Sequence, residues 1–198
     1  MIAGILLAAG ESTRMGQLKA LLPWRGITLL QSQVAAMEAG GVQPVIAVLG
    51  HRADELRELL PPFVEVVINK RYREGKSTSI VAGAAALPME AEAAIVVAVD
   101  QPTEAGIIHA LADAYEPERP PILLPSVNHR RGHPTLFGRG AYPDLLAITE
   151  EHEGLREVMA RYEKDIRYVN VDTELVRANL NSPADYEAAF ARWGQLPA

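Results

Sequence analysis

The sequence predicts an α/β protein of three layers, a mainly parallel sheet with helices on both faces. Three observations carry this. Short β-branched runs alternate with helical patterns along the chain. Two of those runs, Ile2 to Ala8 and Ala94 to Val99, are apolar throughout, as strands buried on both faces are. A glycine-bearing turn, LAAGESTRMGQLK at residues 7–19, follows the first run directly.

In order, the strand at Ile2 to Ala8 and its loop precede a periodic helix from Leu29 to Ala39, which Gly40-Gly41 stops. A strand at Pro44 to Leu49 leads to a charged helix, Ala53 to Leu60, ended by Pro61-Pro62. The third strand is Val64 to Asn69. The polar run KRYREGKSTS then enters a small-residue helix, Ser77 to Leu87, ahead of the strand Ala94 to Val99. Pro102-Thr103 opens a helix to about Tyr115, and Ile122 to Pro125 is a strand. Residues 126–140 read as a glycine, proline and basic loop, residues 139–162 as two helices, and Ile166 to Val171 as a late strand. A last helix starts near Pro183 and carries Tyr186, Phe190 and Trp193. Trp24, Phe63, Phe190 and Trp193 fit core or helix packing, and Glu150-Glu151-His152-Glu153 fits a solvated helix start that could also meet a metal.

The 198 residues suit one domain with a full core, and 48% hydrophobic with 22% charged residues excludes a disordered or fibrous chain. A net charge of −6 argues against nucleic acid as the main partner, so any anion must be held by a local basic cluster. Without cysteine, a metal must be held by oxygen or imidazole, which favours magnesium. No apolar run approaches a membrane span of ~20 residues, and the N-terminus lacks a basic leader, so the expected location is the cytoplasm.

In an open parallel sheet the ligand crevice lies at the carboxyl ends of the strands, where three polar segments fall: residues 9–19, residues 70–79, and Asp100-Gln101-Pro102. The first suits a phosphate cradle. Gly10 and Gly16 let backbone N–H groups approach an anion, while Arg14 and Lys19 add charge. Neither the dinucleotide-binding nor the Walker glycine spacing is present. Asp100 either caps the following helix or faces the crevice as a ligand for a hard cation. Gly75, Ser77 and Ser79 stand at a helix start, where free N–H groups and hydroxyls meet a ligand or a serine caps the helix. Gly132-His133-Pro134, flanked by arginines, suits an anionic second substrate, or His133 is a hydrogen-bonded turn residue. Ser182 and Asp185 are explained by an ordinary helix start at Pro183.

The run Leu7-Ala8-Ala9-Gly10, with Ser12, Arg14-Met15-Gly16 and Lys19, resembles the signature of nucleotidyltransferases with a GT-A-type, Rossmann-like fold. Within them it is most similar to the molybdenum cofactor cytidylyltransferases and the related guanylyltransferases. The resemblance implies one nucleotidyltransferase domain over residues 1–198, with a nucleotide-binding part at about 1–102 and an acceptor-binding part at about 103–198. It implies transfer of CMP from CTP, with Mg2+, to a phosphate acceptor, molybdopterin foremost, with release of pyrophosphate. Arg14 and Lys19 would contact the triphosphate, and Leu7, Ala8, Ala9 and Gly10 the base and ribose. Ala9 resembles the CTP users, since GTP-using relatives tend to have glycine there. Asp100 would hold the metal, Gly75, Ser77 and Ser79 would read the nucleotide, and Gly132, His133 and Pro134 would lie on the acceptor side. His133 is assigned to binding because an acceptor phosphate is already ionised and needs no general base. Asn179 and Asn181 resemble a family segment near the metal that often carries a second carboxylate, so Asn181 would offer only a neutral carbonyl. The same resemblance admits GTP on the same acceptor, a sugar or alditol phosphate as acceptor, and a non-catalytic nucleotide sensor or cofactor-insertion protein. A molybdoenzyme or insertion chaperone is the implied protein partner.

Overall fold

A computed structural model describes residues 1–152 and 154–196, without the side chain of Arg14. It begins with β1 (Ile2–Ala8), followed by a short hairpin of β2 (Pro23–Trp24) and β3 (Ile27–Thr28). Next come α1 (Leu29–Ala39), β4 (Val45–Leu49), α2 (Ala53–Glu58) and β5 (Glu65–Ile68). α3 (Lys76–Ala85) precedes β6 (Ala93–Ala98), and α4 (Ala105–Glu118) precedes β7 (Ile122–Val127). β8 (Arg130–Arg131), β9 (Thr135–Gly138), α5 (Tyr142–Ala147) and α6 (Leu155–Arg161) follow. β10 (Ile166–Asn170) and α7 (Pro183–Ala189) come last.

The main sheet runs β10-β7-β9-β6-β1-β4-β5, with β8 beside β7. β1 pairs in parallel with both β4 and β6. The chain therefore builds outward from β1 on one side through β4 and β5, then returns to the other side at β6. That reversal leaves a crevice beyond the carboxyl ends of β1 and β6.

Side chains alternate across β1 with the period of a strand, and both sets are buried. Leu6 and Ala8 pack with Val34 and Met37 of α1, Leu56 of α2 and Ile108 of α4. Ile5 and Leu7 pack with Ile80 and Ala84 of α3, Leu145 of α5 and Val158 of α6. The expected three layers follow from this double burial. α3 lies especially close to the sheet: a Cβ on Gly83 would stand 2.5 Å from Ile5 Cγ2 and 3.1 Å from Val48 Cγ2. Only a glycine lets the helix settle there, and the packing puts its N-terminus beside the crevice.

Local signals set the helix ends. Thr28 and Gln31 form a reciprocal capping box on α1, and Ser182 caps α7 with Pro183 at its first turn. α7 and the turn after it cover Trp24, which is fully buried and meets Phe190 edge-on at 6.3 Å. Phe63 does not share in this packing; it is 44% exposed.

The main correction concerns residues 126–140. β7 extends to Val127, and β8 and β9 occupy what reads as a loop, with β9 inserted antiparallel between β6 and β7. Four residues, TLFG, are too few to display a period, yet Leu136 and Phe137 are fully buried in the middle of the sheet. Burial of a side chain like Phe137 contributes about 2–3 kcal/mol, more than local loop preference opposes. The helix expected from Pro102-Thr103 starts instead at Ala105 after Glu104 and continues to Glu118.

Candidate active site

The crevice holds a cleft of about 300 Å³, bordered by Leu7, Ala8, Ala9 and Gly10 at the end of β1. Lys19, Asp100, Asn181, Gly75 and Ser79 line it too. The loop between β1 and the hairpin is shaped by its own backbone. Ser12 and Gly16 take positive φ of 55° and 68° around a tight turn at Thr13–Met15, so the chain reverses within a few residues. The Ser12 hydroxyl oxygen accepts from the Lys19 backbone N–H at 3.1 Å, stapling the loop's two ends. Buried Met15 and Leu18 anchor it from beneath. A Cβ on Gly10 would meet nothing within 4 Å, so open space lies next to that backbone. Arg14 belongs to the same turn, and its side chain lies outside the described residues.

Lys19 and Asp100, 81 positions apart, meet at the floor of the cleft, where the Lys19 Nζ donates to Asp100 Oδ2 at 2.9 Å. The side chains are only 12% and 28% exposed, so each charge depends on the other more than a surface pair would. Asp100 does not cap α4; Glu104 holds that position. Its turn is braced by Gln33, a buried side chain of α1 that donates to the Gln101 carbonyl at 2.9 Å and accepts from the Thr103 N–H at 3.0 Å. The Leu180 N–H donates to the Asp100 carbonyl at 2.8 Å, which pins the Asn179–Asn181 segment against the same turn.

Across the cleft, Asn69 organises the start of α3. Its Nδ2 donates to Thr78 Oγ1 and Ser79 Oγ, both at 2.9 Å, and its Oδ1 accepts from the Arg71 N–H. Ser79 borders the cleft, whereas Ser77 does not. The Ser77 N–H expected to be free instead donates to Glu150 Oε1 at 2.6 Å. Glu150 is therefore not simply solvated: it crosses from the turn after α5 to lie against Gly75, whose φ of 122° and lack of a Cβ admit it. Among the described residues no three His, Asp or Glu side chains converge on a metal position, and the Glu150 carboxylate is engaged by the Ser77 N–H; Glu153 lies outside the described residues.

Arg71 and Arg73 are engaged as well. Arg71 pairs with Glu74 at 2.7 Å and Arg73 with Glu11 at 2.7 Å, and the Arg73 guanidinium holds the exposed Glu11 carboxyl below the usual carboxylate range.

A second, wider cleft of about 750 Å³ opens beside the first. Arg131, Arg156, Arg177 and Lys76 border it against the single carboxylate of Glu163, a basic surface in an acidic chain. Leu124, Leu155 and Met159 supply an apolar wall. Gly132 and His133 line it, but Pro134 is buried and borders neither cleft; it follows His133 through a cis peptide. Gly132 is required by close approach, since a Cβ would stand 2.5 Å from the Val176 carbonyl oxygen. Neither buried ring nitrogen of His133 makes a hydrogen bond of good geometry, although the Ala178 backbone lies close enough to pull on the ring. Burial pushes the imidazole down to about 4, against the weaker pull of the Ala178 backbone and the Asp100 carboxylate, so the ring is neutral at pH 7.

The site draws on residues that sequence reasoning passed over. Gln33 had a signal, a polar residue within the apolar helix LLQSQVAAM, but Arg156 and Arg177 had none, since only the folded chain places them.

The model of the MobA-like NTP transferase domain matches residues 4–166. A nicotine blue oxidoreductase from Paenarthrobacter nicotinovorans is 33% identical, over 78% of this chain and 79% of that protein. The molybdenum cofactor cytidylyltransferase of Escherichia coli (strain K12) is 26% identical over 97% of both chains. The crystal structure of Rv0371C from Mycobacterium tuberculosis H37Rv, a complex with manganese, superposes with a TM-score of 0.80 at 23% identity, covering 96% of this chain and 98% of that one. With more than half its length matched and its sheet, loop and clefts arranged as described, this chain belongs to the MobA-like NTP transferase domain family.

Proposed function

We propose that the protein transfers CMP from CTP to the phosphate of a molybdopterin-type cofactor and releases pyrophosphate. The carrying observation is the Lys19–Asp100 pair at the floor of the first cleft, immediately beside a second cleft of opposite character, basic and partly apolar. Nucleotidyl transfer asks a protein to align two anionic substrates and to neutralise charge as pyrophosphate departs. In this reading the backbone from Leu7 to Gly10, with Gly75 and Ser79, holds base and ribose, and Lys19 and Arg14 take the triphosphate. Ser77 supports the helix start without touching the nucleotide, and Pro134 shapes the turn behind Gly132 and His133. The basic rim of the second cleft holds the acceptor, with neutral His133 at its inner wall.

The donor set suits magnesium, which keeps several waters and takes one or two protein oxygens beside substrate phosphates. Asp100 and the Asn181 carbonyl would hold the ion, on the ground that the Leu180–Asp100 backbone bond keeps both at one end of the cleft. When bound, the cation supplies charge neutralisation at the phosphate oxygens. Lys19 then exchanges its single carboxylate partner for the triphosphate.

The relative named as a molybdenum cofactor cytidylyltransferase supports CTP and this acceptor, and Ala9 supports a pyrimidine. The relative named as an oxidoreductase sustains a second reading, in which the family fold serves an oxidation–reduction. One experiment separates them: pyrophosphate release from CTP and GTP with magnesium, in the presence and absence of molybdopterin. Acceptor-dependent release from CTP is the expected result. Release from GTP alone overturns the base assignment, and no release from any nucleotide overturns the transfer reading in favour of the second.

A further inference from the structure

Among the described residues, Lys76 alone borders both the first cleft and the basic second cleft. It also lines the small cavity of about 40 Å³ between them, with His133, Gln101 and Leu7. Its surroundings leave its charge unspent. Arg71 and Arg73 are each held by a carboxylate, whereas Lys76 makes no ion pair among the described residues. The N–H of the next residue, Ser77, is occupied by Glu150, so the ammonium is the positive group that the start of α3 can still offer. Lys76 is also the first residue of α3, whose position is fixed by the close packing of Gly83 on β1 and β4. The backbone of Lys76 is thus fixed where the two clefts meet.

We propose that Lys76 is a catalytic residue whose ammonium contacts phosphate groups from both clefts, drawing the acceptor phosphate to the α-phosphate of the nucleotide. This rests on the transfer reading given above. In that reaction an oxygen of the acceptor phosphate forms a bond to the α-phosphorus and the bond to the bridging oxygen of pyrophosphate breaks, the electron pair leaving with pyrophosphate. Two like-charged phosphates must approach within bonding distance, and a cation between them lowers their repulsion as charge builds on the five-coordinate phosphorus. Lys19 cannot do this from its place, because it borders only the first cleft.

The test has a binding arm and a turnover arm. In the first, the rate of amine modification at Lys76 is followed by peptide mass mapping in the full chain, with CTP and magnesium alone, with molybdopterin alone, and with neither. Protection by each ligand separately is the expected result, and protection by only one overturns the proposal. In the second, Lys76→Met and Lys76→Arg are compared with the unaltered protein. Lys76→Met is expected to lower kcat on the order of 100-fold, the range for loss of one positioned charge-stabilising donor, with the Kd for CTP moved less than about threefold. Lys76→Arg should recover about tenfold of that loss. Undiminished turnover in Lys76→Met, or a CTP Kd that rises as far as kcat falls, overturns the role. If the unaltered protein releases no pyrophosphate at all, the transfer reading fails by itself, and the protection arm still decides whether Lys76 touches both ligands.

Discussion

Lowering the pH should destabilise the fold through His133, and by an amount the structure sets. The imidazole is buried without a hydrogen bond to either nitrogen, and its pKa falls from the usual 6.5 to about 4. The unfolded chain therefore binds a proton over a window, between about 6.5 and about 4, in which the folded chain does not. Stability rises with pH wherever the unfolded state holds more protons, so this histidine costs nothing above that window and its full penalty below it. At about 1.4 kcal/mol per unit, the whole window is worth about 3 kcal/mol, and the span from about pH 7.5 to about pH 5 about 2 kcal/mol. Urea unfolding of the unaltered protein and of His133→Gln at those two pH values checks this. Glutamine removes the titration, so the gap between the two proteins should change by about 2 kcal/mol in favour of the variant as pH falls. Parallel losses in both proteins would refute the burial argument for His133. Addition of inorganic phosphate at the lower pH should narrow the gap, because an anion in the second cleft favours the protonated ring.

Two further outcomes follow from the packing and the pairing. Gly83→Ala should gain about 1 kcal/mol of helix propensity yet lose more to its clash with Ile5 and Val48, for a net destabilisation of about 1–2 kcal/mol in urea unfolding; a more stable variant would show that α3 can lift from the sheet. Asp100→Asn keeps an oxygen beside Lys19 but removes its charge, so turnover should fall about 100- to 1000-fold with the folded state retained by circular dichroism, and a drop below about tenfold would exclude Asp100 from the metal.

The parts of this molecule that the sequence reveals are those fixed by local chemistry. Apolar runs at Ile2 to Ala8 and Ala94 to Val99 disclose buried strands because every position must face a core. Lys19 and Asp100 are legible because each ends a strand or its loop on the carboxyl side of a parallel sheet, where topology alone brings them together. β9 is not, because a four-residue strand gains its stability from neighbours on both sides, and neither is adjacent in sequence. Glu150 reads as solvent-facing for the same reason: the amide it accepts from lies 73 positions away. That Ser79 borders the first cleft while Ser77 does not is likewise invisible in the sequence, since Asn69 organises the start of α3 from ten positions away.

The antiparallel β9 matters to function more than its length suggests. A parallel neighbour of β6 would send its preceding loop to the opposite edge of the sheet, whereas an antiparallel one presents Gly132 and His133 at the same edge as the turn of Asp100. Two backbone bonds then fasten the C-terminal segment to both places at once: the His133 N–H donates to the Val176 carbonyl and the Leu180 N–H to the Asp100 carbonyl, each at 2.8 Å. The stretch from Val176 to Asn181 thereby spans from the basic cleft to the Lys19–Asp100 pair, with Asn179 bordering the basic cleft and Asn181 the other. Rigid spacing of this kind is what in-line transfer between two anions demands, since a small misplacement of either costs far more rate than the loss of any one contact. The juxtaposed clefts, rather than the loop after β1 alone, are thus the feature of this fold on which the proposed joining of two phosphates depends.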